Sequence, residues 1–181
     1  MATVLRILVF LALASVGLQI LFYGSRISGD PLGKPPIAWP ALLLAKVSLI
    51  VSLALLLLRA VQGDVLLSPA TAAVFVCLLI GGAAIFTAAF PRLGKNLRMG
   101  LPKEQTVLVT SGVYCVSRNP IYLALFCLLG ASLVYAFSWV NLAAAGISVV
   151  LHHRIVLAEE KYLAGRFAEY EGYRRRVRRY L

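Results

Sequence analysis

Apolar residues in this chain come in long, nearly unbroken runs. They lack the alternating or three-to-four spacing of half-buried elements. The runs cover Val4–Tyr23, Ala38–Ala60, Ala70–Phe90, Ile121–Phe137 and Trp139–Leu157. A helix rises about 1.5 Å per residue, so roughly 17–23 residues match the ~30 Å hydrocarbon core of a bilayer. Each run therefore predicts a transmembrane helix, with Ile121–Phe137 at the short end. Only Ser138 separates that run from the next, which predicts a tight antiparallel hairpin. The first run also has the outline of a signal peptide: Arg6, an apolar stretch, then small residues around Ala12–Ser15. Its apolar character continues to Phe22, which favours a retained helix. The predicted fold is an all-α integral membrane protein of five transmembrane helices. It forms one domain over 1–181, with three spans in 1–90 and a polar loop, the hairpin and a tail in 91–181.

The polar positions are concentrated in a few places. A Gly- and Pro-rich loop, Ser25–Ile37, follows the first span, and a longer one, Pro91–Asn119, precedes the hairpin. Within the second loop, Ser111-Gly112 is a turn signal that lets Leu108–Val109 approach a ligand through backbone groups. Pro120 disfavours helix at Asn119 and suits a first helical turn, so Asn119 is the expected N-cap. Arg118 and Asn119 then sit at the mouth of the fourth span, with Tyr122 one turn in. The hairpin returns the chain to the same face at His152–Glu160, so topology brings the loop and the adjacent carboxylates Glu159-Glu160 together. From Arg154 to Tyr180 the chain reads as a basic amphipathic C-terminal helix on a lipid surface. Gly165 and Gly172 weaken it, Tyr162, Phe167, Tyr170, Tyr173 and Tyr180 supply interfacial rings, and Glu171 is spaced i,i+4 from Arg175. A lipid-surface helix explains the arginines but not Glu159 and Glu160.

Composition sharpens the membrane reading. Hydrophobic residues make up 61% of the 181 and mean hydropathy is +0.87, far above soluble domains. The formal charge of +11 does not read as a nucleic-acid footprint, because the basic residues flank apolar spans and no basic-aromatic module accompanies them. With five spans, one side carries two basic residues in the first loop, five in the third (Arg92, Lys95, Arg98, Lys103, Arg118) and eight from Arg154 onward. The other side has only Arg6 and Arg59. The positive-inside rule places the N-terminus outside, and the long loop and tail in the cytoplasm. Lys46 lies within the second span, where it either snorkels or lines a cavity. Cys77, Cys115 and Cys127 are too dispersed for a disulfide framework or a metal site; Cys115 has no His neighbour to make it a nucleophile.

Taken in order, Leu-Val-Thr-Ser-Gly-Val-Tyr (108–114), Arg-x-Pro-x-Tyr (118–122), a hydrophobic hairpin, Glu159-Glu160 and Tyr-Arg-Arg-Arg-Val (173–177) resemble the isoprenylcysteine carboxyl methyltransferase family. Membrane phospholipid N-methyltransferases share part of the pattern, and the C-terminal half of sterol reductases is related. The resemblance covers roughly Pro91–Leu181. It implies an S-adenosylmethionine site in which Val107, Leu108 and Val109 meet the adenosine portion, and Gly112, Tyr114, Asn119, Pro120 and Tyr122 form the pocket. It further implies that Glu159 holds a polar part of the cofactor with Glu160 in support. Arg154, together with Arg118 and Asn119, is the implied catalytic set, Arg154 facing the acceptor although its match is about a residue out of register. The chain departs from the family at Asn119, where a His is usual, at Ala124 in place of Gly, and at Phe167-Ala168-Glu169 in place of Phe-Gly-Glu.

The chemistry suits this inventory. A sulfonium methyl is already activated, so transfer needs an in-line nucleophile held close more than it needs acid or base. A carboxylate acceptor requires no base, whereas an amine must lose a proton, for which His152 or His153 is available. The expected activity is methyl transfer to a lipophilic acceptor, with an isoprenylcysteine-like carboxylate favoured. Alternatives are lipid-amine N-methylation, a non-catalytic lipid- or partner-binding role that Asn119 keeps open, and, less favoured in so short a chain, hydride transfer. Oligomeric state is not legible; Gly81-Gly82 permits close helix contact without specifying a partner.

Overall fold

The computed structural model describes residues 1–24, 35–63, 65–93 and 107–181. Most of the first predicted loop, with Arg26 and Lys34, and the middle of the long loop, with Lys95, Arg98 and Lys103, lie outside the described residues. The helices are α1 (Ala2–Gly24), α2 (Trp39–Gln62), α3 (Pro69–Leu93), α4 (Pro120–Tyr135), α5 (Trp139–Arg166) and α6 (Tyr170–Arg176), with a 3-10 turn at Gly112–Cys115.

Four of these, α1, α2, α3 and α5, are long and apolar enough to cross a membrane. The fourth predicted span, α4, has 16 residues, about 24 Å of helix, and falls short of a hydrocarbon core by itself. It begins at Pro120, whose missing N–H costs nothing at a first helical position. It ends before the hairpin turn, where Ser138 caps α5 by accepting from the Asn141 backbone N–H.

Two helices run beyond the apolar stretches that announce them. α3 runs through Pro91 to Leu93, because a proline in the last turn forfeits little backbone bonding. α5 continues past Leu157 to Arg166, carried by helix formers such as Ala158, Glu159, Glu160 and Leu163, and stops one residue after Gly165. The carboxylate pair therefore sits on a helix that also enters the bundle.

The predicted amphipathic C-terminal helix is replaced by the end of α5, the short α6 and an extended tail. The tail folds back to pair Arg178 with Ser117 in a parallel bridge. Tyr170 and Tyr173 are buried against each other, and Tyr180 packs edge-on to Phe126. Tyr170 and Tyr173 are interior to the protein rather than displayed to a lipid surface, and Tyr180 is half-buried.

The bundle pairs α3 with α4 and α1, and α2 with α5, α4 and α1. Leu5, Val9, Phe75, Leu79 and Leu128 fill the main core, while Leu42, Ala45 and Ile155 form a second one beside Tyr122. Outward-facing Leu11, Leu21, Leu43 and Ile50 are exposed, as lipid contact requires. Gly82 lies against α4: a Cβ there would meet the Ala124 carbonyl oxygen at 3.0 Å, whereas Gly81 faces open space. Gly82, and not Gly81, thus serves packing within the chain. Deeper in the bundle, Ser52 Oγ donates to Asn141 Oδ1 (2.6 Å), and Asn141 Nδ2 donates to Ser132 Oγ (2.9 Å) and the Ala136 carbonyl (3.0 Å). Ser132 Oγ closes the circuit on the Ser52 carbonyl at 2.8 Å, fastening α2 to the α4–α5 hairpin.

Candidate functional site

The loop and the carboxylate pair meet at one end of the bundle, as topology predicts. Glu160 is buried and accepts from three residues. Its Oε1 takes Arg118 Nε (3.2 Å), Arg118 Nη2 (3.1 Å) and Asn119 Nδ2 (2.8 Å). Its Oε2 takes Arg179 Nε (3.1 Å) and Nη2 (3.0 Å). Arg118 spends its remaining reach on the carbonyls of Arg174 (2.9 Å) and Val177 (3.1 Å). Both oxygens of Glu160 are thus occupied by the protein. The Glu160 charge also holds the half-buried Arg179 guanidinium above its ordinary range, so that this cation stays charged.

Asn119 occupies the predicted N-cap position, but its side chain caps nothing. The carboxamide Nδ2 donates instead to Glu160 and, at 3.3 Å, to the Arg179 carbonyl. Ser117 Oγ donates to the Arg179 carbonyl and the Arg118 N–H to the Arg178 carbonyl. Tyr173 Oη donates to the Tyr114 carbonyl at 2.7 Å, and Tyr180 Oη lies 2.8 Å from His153 Nδ1. The tail, Ser117–Asn119 and Glu160 therefore form one clasp.

Glu159 is differently placed. Tyr122 Oη donates to its Oε1 at 2.8 Å, and its Oε2 has no partner among the described residues. Lys46 of α2 and the Tyr114 phenol are near enough to interact with it electrostatically. Burial first, then Tyr173 and Glu159, push the Tyr114 phenol up, so it remains a protonated donor. Gly112 adopts φ +65°, the left-handed conformation that the Ser-Gly turn calls for, and packs against the Arg92 guanidinium. Pro120 is buried at the α4 start. Val107 is exposed; Leu108 and Val109 are half-buried, and their backbone groups bond to no other described residue. Cys115 donates to the Thr110 carbonyl and sits apart from either histidine.

Arg154 is exposed and separate from the clasp. With Leu157 of α5 it lines a groove of about 400 Å³ whose other wall is Ile37, Ala38 and Ala41 at the start of α2. This is an opening between adjacent helices, bordered by one cation and apolar surface.

An S-adenosylmethionine cofactor fits the clasp end chemically. Glu159 Oε2, unpartnered among the described residues, offers a carboxylate oxygen for an ammonium or hydroxyl, and Leu108–Val109 offers backbone groups unpaired among the described residues and apolar surface for a purine. Sequence reasoning missed Arg179, Tyr180, Tyr173 and Ser117 as builders of this end, and Lys46 as a neighbour of Glu159. The missed signal was Glu160 itself, since a buried carboxylate needs cations and the tail supplied them.

No curated protein and no solved structure shows a significant match to the chain. The sequence model of the family described as phospholipid methyltransferase matches residues 70–170, more than half of the chain and including α3, α4, α5 and the loop between. That stretch contains Tyr114, Asn119, Tyr122, Arg154, Glu159 and Glu160, and the chain accordingly belongs to the phospholipid methyltransferase family.

Proposed function

We propose that this protein is an S-adenosylmethionine-dependent membrane methyltransferase that methylates a lipophilic acceptor. The observation that carries the reading is the division of labour between the two glutamates: Glu160 is fully engaged in the clasp, and Glu159, one residue away, presents beside Tyr122 an oxygen with no partner among the described residues. Glu159, Tyr114 and Tyr122 hold polar parts of the cofactor, and Val107–Val109 receive the adenosine portion. Gly112 and Pro120 set the backbone that brings these groups together. When bound, the cofactor supplies an activated methyl group on a sulfonium. Arg118 and Asn119 act by positioning, since their donors are committed to Glu160 and to tail carbonyls. This also accounts for Asn119 at a position where a histidine is usual: the role is donation to a carboxylate, which an amide performs without exchanging a proton.

The acceptor enters sideways through the α2–α5 groove, where Arg154 pairs with an anionic group while the apolar walls take lipid chains. That anion is either the carboxylate of an isoprenylcysteine-like acceptor, which is then itself methylated, or the phosphate of an amine-bearing phospholipid, which family membership supports equally. The basic asymmetry of the sequence supports a cytoplasmic clasp end, where a water-soluble cofactor is available.

Calorimetric titration of S-adenosylhomocysteine into detergent-solubilised protein tests the reading. Saturable binding is expected, weakened about tenfold or more by Glu159→Gln because a hydrogen bond to a charged group contributes ~1.5–3 kcal/mol. Absence of binding at high micromolar ligand would overturn it.

A further inference from the structure

Lys46 stands within a membrane-crossing helix, seven residues on from Trp39 and about 10 Å down its axis. It is half-buried, and its ammonium has no hydrogen-bond or ion-pair partner among the described residues. A charge in such a place is costly unless something pairs with it.

The turn of the helix decides which way Lys46 faces. Leu42 and Ala45 of α2 pack on Ile155 of α5, and Tyr122 of α4 packs against this seam. Five residues rotate a helix by about 140°. Ala41 and Lys46 are five apart and flank the Leu42–Ala45 stripe on opposite sides; Arg154 and Glu159 flank Ile155 likewise. The Ala41–Arg154 flank is the groove between α2 and α5. The other flank carries Lys46, Tyr122 and Glu159, with Tyr122 Oη bonded to Glu159 Oε1. A helical side chain leans toward the N-terminus of its helix, which for α2 is the clasp end, so Lys46 leans toward Glu159. The two charges act on each other electrostatically without a hydrogen bond between them.

An ammonium and a carboxylate oxygen, each unpaired among the described residues, thus share one flank beside Tyr122. Their charges sum to zero. A ligand group that is only cationic would leave Lys46 unpaired, and one that is only anionic would leave Glu159 Oε2 so. A group carrying both charges serves both at no net charge.

We propose that Lys46 and Glu159 form a subsite for an amino-acid zwitterion, Lys46 Nζ donating to the α-carboxylate of S-adenosylmethionine and Glu159 Oε2 accepting from its α-ammonium. The inference rests on the methyltransferase reading above. It gives the cofactor site a residue from α2, outside the 70–170 stretch that the family model matches. Lys46 therefore neither snorkels nor lines the acceptor groove; it orients the methionine end of the cofactor.

The test is calorimetric titration of the full chain in detergent micelles with two ligands. These are S-adenosylhomocysteine and S-adenosyl-3-thiopropylamine, which keeps the amine and lacks the carboxylate. The native chain should bind the first about tenfold or more tightly than the second, as one hydrogen bond between charged groups supplies. Lys46→Met keeps a long unbranched side chain and suits a membrane span. In this variant, folded by circular dichroism, S-adenosylhomocysteine should weaken about tenfold or more while the amine stays within about threefold. A merely structural lysine would weaken both ligands alike. Equal losses for the two ligands, no loss for either, or a native chain that binds both equally would overturn the role of Lys46 and leave the methyltransferase reading standing. Failure of the native chain to bind S-adenosylhomocysteine at all would remove both.

Discussion

Replacing Glu160 by glutamine removes the charge on which the clasp is built while keeping its volume. The cost divides into two limbs. Toward Arg118 the pair is buried, with side-chain exposures of 7% and 9%, and stripping one partner from such a pair costs about 3–5 kcal/mol. Toward Arg179 the guanidinium is 35% exposed, so that limb is screened and contributes under ~1 kcal/mol. Glutamine can still offer one oxygen, to Arg118 or Asn119, but then turns its NH₂ toward Arg179. A loss of about 3 kcal/mol for opening the clasp is expected, and each ~1.4 kcal/mol is a factor of ten. Hydrogen exchange reads this locally, because the Arg118 amide is tied to the Arg178 carbonyl and the Val177 amide to the Tyr173 carbonyl. Both amides should exchange ~100-fold faster in Glu160→Gln. In Arg179→Gln they should accelerate less than about tenfold. Amides in the middle of α3 should be unaffected in either variant. Unchanged exchange at Arg118 in Glu160→Gln, or equal effects of the two substitutions, would refute the claim that the buried limb holds the clasp.

Two further substitutions test the bundle. Gly82→Ala brings a methyl within 3.0 Å of the Ala124 carbonyl and 3.1 Å of Cys127 Cβ. It should lower stability in a denaturing-detergent titration by ~1–3 kcal/mol. Gly81→Ala, facing open space, should be neutral or slightly stabilising, and parity between the two would contradict the α3–α4 contact. Asn141→Ala leaves Ser52 Oγ with only the longer 3.3 Å bond to Ser132 Oγ and removes the amide donor to the Ala136 carbonyl, and should cost about 1–2 kcal/mol in the same titration, a value at the upper end for polar contacts between membrane helices. No loss would mean that water replaces the amide.

Much of the architecture was legible because lipid imposes a simple rule: spans must be apolar and helical, so their positions can be read from the runs alone. The meeting of Arg118, Asn119 and Tyr122 with Glu159-Glu160 was legible for a similar reason, since a tight hairpin must return to the face it left. What the runs could not give was the fate of charged residues. Arg174–Arg179 read as a lipid-facing surface, because spacing alone does not distinguish a cation bound for phosphate from one bound for Glu160. Asn119 read as a cap for the same reason: its position satisfied the rule, and a carboxylate distant in sequence outcompeted it. At Leu157 a change to polar residues ended the apolar run but not the helix, in keeping with the helical character read from Arg154 onward.

The central claim is tested most directly by incubating the purified protein with methyl-labelled S-adenosylmethionine and a native lipid extract, then identifying the labelled product. The account predicts label in an extractable lipophilic product, lost in Glu159→Gln at limiting cofactor. Label absent from every lipid and protein fraction, with the protein folded and the cofactor intact, would contradict it.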